Sequence, residues 1–245
     1  MKKILNRRIF TSLAVKIFRA FPRSTRYAAA KLAVKIIFPF TRKFSLLSPP
    51  PFALDASCDY LWSVLFMSLT QRGVEFDPKI VFGESEIDLE EGAIMVSGHF
   101  FLNFFVLRWL FDHGYKQSTV IRESYERQKV LGTKNEIDVI KPTADCLREI
   151  RRRVKSGEII SICVDHSEPF EGWRKLDIPN REIYISEIIF EFAERLAIPL
   201  IFFGTQLNAN NEIEIFTRRP VSTRSAEVAA EFGDFLKELL VKSEA

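Results

Sequence analysis

Two spacings of apolar residues alternate along this chain, and the changes between them delimit its elements. Short runs rich in Ile, Val and Phe stand at "KIVFG", "AIMVS", "STVIR", "EIDVI", "EIISICVD", "IPLIFFGTQ" and "EIEIFTRR". Runs of that length and composition predict strands. Between most of them apolar residues recur at helical spacing, predicting helices over roughly 100–113, 124–132, 143–156 and 184–197. A helical stretch around "YLWSVLFMSLTQRG" precedes the series. A last helix over about 225–242 follows it, with Phe232, Phe235, Leu236, Leu239 and Leu240 on one face. Strands alternating with helices predict an α/β fold with a mixed, largely parallel sheet flanked by helices. In such folds functional side chains gather at the carboxyl ends of the strands.

The first part of the chain is different. Residues 1–54 hold 12 Lys or Arg and no acid, leaving 23 basic against 32 acidic residues in the remainder. Between those charges the segment is apolar, as in "SLAVKIF" and "KLAVKIIFPF". On a helical wheel Lys31, Lys35 and Arg42 form a narrow stripe, with Leu32, Val34, Ile36, Ile37 and Phe38 over the rest. Pro39 is expected to kink this helix. A cationic stripe on a broad apolar face suits an anionic membrane surface. The alternatives are two helices simply packed on the body, a transit peptide, or a nucleic-acid arm. No run reaches the roughly 18–20 apolar residues of a membrane span, and no signal-peptide cleavage pattern follows the start. "SLLSPPPFALD" (45–55) reads as a linker. The expected organisation is therefore a basic amphipathic arm over 1–48 and an α/β domain over 49–245.

A hydrophobic content of 47% argues for a folded chain, and three cysteines without metal spacing read as ordinary buried thiols. Two strand ends carry candidate chemistry. "AIMVSGHFF" places His99 just beyond a strand and near a helix start, where the helix dipole disfavours the imidazolium and suits a general base. "SICVDHSEPFEGW" leads Asp165 and His166 from a strand into a loop holding Glu168. Arg122 ends "STVIR". Taken singly, each of these also fits a structural role. No GxSxG elbow, HExxH motif or Gly-rich phosphate loop is present, and the three histidines have no metal-ligand spacing. Neither a metal nor a cofactor is expected.

The order of the pieces adds to this. "GHFFLNFFVLRWLFDHG", "TVIRES", "LREIRRRVKSGEIISICVDHSEPFEGW" and "SEIIFEFAERLAIPLIFFGTQ" together resemble the lysophospholipid acyltransferase superfamily, in its branch of bacterial lauroyl and myristoyl acyltransferases of lipid A. The resemblance covers roughly residues 20–220. It implies a peripheral protein on the cytoplasmic face of the inner membrane. The implied reaction moves a fatty acyl chain from an acyl carrier protein or coenzyme A thioester to a lipid hydroxyl. His99 would be the base, and Asn103, Arg122, Asp165, His166 and Glu168 would contact substrate. The phenylalanines after His99 would either line an acyl groove or pack the core. The family has an acid five residues after this histidine, and here that position is Phe104. Glu123 and Asp165 are the acids that topology could bring to the ring instead. Two alternatives remain: a degenerate member that binds lipid or a partner without turnover, and a different α/β enzyme using Asp165 and His166.

Overall fold

The computed structural model describes residues 15–43, 65–67, 69–70, 72–82, 89, 92–121, 127–130, 133, 135–166, 168, 170–178, 181–208, 210 and 212–244. Eight strands form one sheet: β1 (Ile80–Phe82), β2 (Ile94–Ser97), β3 (Gln117–Val120), β4 (Arg127–Lys129), β5 (Glu136–Ile140), β6 (Ile159–Cys163), β10 (Leu200–Leu207) and β11 (Ile213–Arg218). Their order is β1-β11-β10-β2-β6-β3-β5-β4. Only β10–β11 and β4–β5 pair antiparallel, so the sheet is mixed and largely parallel, as the alternating pattern predicts. A second sheet of order β7-β9-β8 comprises β7 (Asp165–His166), β8 (Trp173–Ile178) and β9 (Arg181–Ser186).

Strand alternation divides the core between the two faces of the large sheet. Ile94, Val96, Ile160 and Phe202 meet α3 (Cys146–Lys155), α4 (Ile188–Leu196) and α5 (Ser225–Glu244). The residues between them, among them Met95, Ile159 and Ile201, meet Val106, Trp109 and Leu110 of α2 (Phe104–Asp112). The five apolar residues predicted on the last helix are all buried on α5. Gly92 enters β2 against the end of α3, and a Cβ there would lie 2.2 Å from the Val154 carbonyl oxygen. That neighbour is backbone and cannot swing away. Gly92→Ala is therefore expected to cost about 2–3 kcal/mol, read as a lower urea midpoint with an unchanged slope.

Three local expectations differ from the structure. The segment over 124–132 is not helical where it is described: Arg127–Lys129 is a strand on the open edge of β5. A short isolated helix is marginal, and three backbone pairings with β5 outweigh it. The helix expected over 184–197 starts only at Ile188, because the preceding residues pair in β9. The hairpin of β8 and β9 is an addition. "WRKLDI" and "REIYIS" pair from Trp173 with Ser186 to Ile178 with Arg181, but neither alternates cleanly or forms a continuous apolar run, so the stronger runs beside them overshadow both.

Near the start, residues 15–20 are helical and α1 (Arg23–Lys43) follows, continuing past Pro39. These helices do not stand apart from the body. Val15, Phe18, Tyr27 and Ala30 are buried against Phe66, Phe76 and Phe105, and the Tyr27 and Phe66 rings stack at 5.5 Å. Three of the arm's arginines also reach across the surface to the body. Arg19 and Arg26 donate to the backbone carbonyls of Arg72 and Glu75, and Arg23 pairs with Asp77 at 2.8 Å. Ile17, Phe21, Leu32 and Ile36 point outward. The side chains of Lys31, Lys35 and Arg42, and the linker over 45–55, lie outside the described residues.

Candidate active site

The site follows from strand register. β2 and β6 are parallel neighbours with Ser97 opposite Cys163. Extending both chains by two residues sets His99 beside Asp165, with both side chains on the same face. The extension is held by hydrogen bonds. Val164 N–H donates to the Ser97 carbonyl, and the Val164 carbonyl accepts from Ser186 N–H of β9. At Val164 the chain therefore passes from the large sheet to the small one, and Asp165 is the first residue after the crossing.

The Asp165 carboxylate contacts His99 twice. One oxygen lies 2.6 Å from the imidazole Nδ1, and the other accepts the His99 backbone N–H at 3.0 Å. The Asp165 side chain is 1% exposed and that of His99 40%. A buried carboxylate thus fixes the ring through Nδ1, so the neutral ring carries its proton there and its lone pair on Nε2. An imidazole held in this way can act as a general base through Nε2.

The turn carrying His99 is also fixed from beneath. Phe100 N–H donates to the Gly98 carbonyl at 2.8 Å, closing a three-residue turn around His99. The Asn103 amide donates to the same carbonyl at 2.9 Å and to the Ser97 hydroxyl at 2.8 Å. Thr205 donates to the Asn103 carbonyl oxygen at 3.0 Å, and Ser97 to the Phe203 carbonyl at 2.5 Å. Asn103 is buried and its amide is engaged by Gly98, Ser97 and Thr205, so it braces the turn from beneath. The hydroxyls of Ser97 and Thr205 complete this network. Their only sequence signal is a polar residue inside an apolar strand.

The other candidate residues are dispersed. His166 follows Asp165 on the opposite face of β7; its Nδ1 accepts the Glu168 backbone N–H at 3.0 Å, and its ring lies against Phe170 and Trp173. Glu168 is exposed in that turn. Arg122 and Glu123 lie outside the described residues. Phe100 and Phe105 are core residues, 4% and 0% exposed. Phe104 packs with Leu107, Val130 and Ile137. Cys163, exposed, donates its thiol to the Gly98 carbonyl at 3.4 Å. The Gly157-Glu158 pair is structural. Gly157 takes a φ of 78° after α3, and buried Glu158 accepts from Arg153 at 3.0 Å and from the Ser118 hydroxyl.

Among the described residues no group of three or more His, Cys, Asp or Glu could hold a metal ion, and no helix is long and apolar enough to cross a membrane. Neither protein-family models nor curated proteins contain a match to this chain.

Proposed function

We propose that this protein is a membrane-associated O-acyltransferase using His99 as general base. The observation that carries the reading is the His99–Asp165 pair at a strand end, which supplies the orienting acid that Phe104 cannot. Nε2 takes the proton of the acceptor hydroxyl as its oxygen attacks the thioester carbonyl. The tetrahedral intermediate then collapses, the carbon–sulfur bond breaks, and the leaving thiolate takes the proton from His99. Asp165 holds the ring and stabilises the imidazolium formed between the two steps. No covalent acyl-enzyme is needed. The donor is an acyl carrier protein or coenzyme A thioester and the acceptor a hydroxyl-bearing lipid. Purified protein given labelled donor and membrane lipid should yield acylated lipid, and His99→Ala should yield none. Product formation by that variant would overturn the mechanism; vesicle binding with no product at all would favour a non-catalytic lipid-binding protein.

The same reading places the protein on the cytoplasmic face of an anionic membrane. Support comes from the outward residues Ile17, Leu32 and Ile36 on helices whose other face is already buried, and Phe21 at the bend between them, within an acid-free stretch. Removing the arm would strip cover from Phe66 and Phe76, so point changes are the cleaner test. Leu32→Glu with Ile36→Glu is expected to weaken binding to anionic vesicles at least about tenfold, with the thermal midpoint unchanged.

A further inference from the structure

Thr205 lies fully buried near the carboxyl end of β10. A buried hydroxyl costs free energy unless it is hydrogen-bonded, and valine would fill the same branched shape in a strand without that cost. The register accounts for the hydroxyl. β10 and β2 run parallel with Phe202 beside Val96, so continuing both chains sets Thr205 level with His99. Gly204 is turned to α5, where a Cβ would lie 2.3 Å from the Leu239 side chain. Thr205 therefore faces the opposite side, towards the start of α2, and the side chain it meets there is that of Asn103.

Three hydrogen bonds then run head to tail. The Thr205 hydroxyl donates to Asn103 Oδ1 at 3.0 Å, the Asn103 amide to the Gly98 carbonyl at 2.9 Å, and the His99 N–H to Asp165 Oδ2 at 3.0 Å. The last two meet in one peptide. The Gly98 carbonyl and the His99 N–H are its two ends, and the partial double bond between them keeps both in one plane. A tilt at the carbonyl is therefore a tilt at the N–H. Each donor also polarises the next, and all point the same way, ending on the buried Asp165 carboxylate. An asparagine amide turns easily about its last torsion. Here Ser97 and Gly98 hold its nitrogen, and Thr205 holds its oxygen.

We infer that Thr205 is a positioning residue for the His99–Asp165 pair, acting from β10 through Asn103 and the Gly98–His99 peptide. The hydroxyl fixes the amide, the amide fixes the peptide plane, and the plane sets the line along which His99 N–H meets Asp165. The inference deepens the acyl-transfer reading, and only its kinetic part rests on that reading. Thr205→Val keeps the branched shape and removes the hydroxyl. In that variant the His99 amide should exchange its hydrogen at least about tenfold faster relative to the amides of β6. The value of kcat should fall about tenfold with KM unchanged. Thr205→Ser restores the hydroxyl and should return both readouts to within about twofold of the wild type. Relative exchange at His99 unchanged in Thr205→Val would overturn the inference, whatever the rate. So would Thr205→Ser as impaired as Thr205→Val, which would assign the effect to packing of the methyl group. A wild type that transfers no acyl group, with the exchange differences present, upholds the positioning role and overturns the transferase reading.

Discussion

Asp165→Asn is expected to lower the rate of acyl transfer about 10⁴-fold while leaving the fold intact. The carboxylate now accepts from both Nδ1 and the backbone N–H of His99. An amide of the same shape can keep one of these contacts but offers an N–H in place of one acceptor. The ring is then driven towards the tautomer with its proton on Nε2, the nitrogen that must accept the substrate proton. The imidazolium formed during turnover also loses its counter-charge. Substrate binding does not depend on either effect, so the fall should be in kcat with KM little changed. A loss of less than about tenfold would mean that Asp165 does not orient the base.

Asn103→Ala is expected to cost about 2–3 kcal/mol of stability and roughly a further 100-fold in kcat. The stability loss comes from three hydrogen bonds. Thr205 is left with a buried hydroxyl that donates to no amide, and Ser97 and Gly98 each lose a donor. The Gly98 carbonyl keeps Phe100 N–H and the Cys163 thiol, which is why the turn should survive. The rate loss follows from slack in that turn, since a displacement of about 1 Å at a reacting group costs on the order of 100-fold. Urea unfolding and steady-state kinetics on one preparation separate the two effects. A pH–rate profile of unchanged shape marks Asn103 as a positioning residue; a shifted profile would mean that it acts on His99 electrostatically.

The fold was legible in the chain because its buried parallel strands read as continuous apolar runs, and because helices between them repeat at a different spacing. The β8–β9 hairpin was harder to read, since its partly exposed strands mix charged and apolar residues and were overshadowed by stronger neighbours. Arg127–Lys129 was misread because edge pairing depends on β5, a tertiary fact that no local window contains. At the site, His99 was found from its place after a strand. Its acid was visible only as one of two candidates, because the choice between Glu123 and Asp165 depends on which strand lies beside β2. The register of Ser97 with Cys163 places Asp165 there. The resemblance puts Asn103 among the substrate contacts, whereas the structure bonds its amide to protein groups. The partners that turn it inward come from Ser97 and from Thr205, more than a hundred residues away.

The most direct test of the His99–Asp165 pair is the tautomer of the His99 ring, read from long-range proton–nitrogen spectra of protein labelled in histidine with ¹⁵N. His113 and His166 are assigned by substitution, and the spectra are taken where the rings are neutral. The geometry predicts a protonated Nδ1 and an unprotonated Nε2 in His99, a preference that Asp165→Asn abolishes. A His99 ring protonated on Nε2 in the unmodified protein would contradict its role as the base.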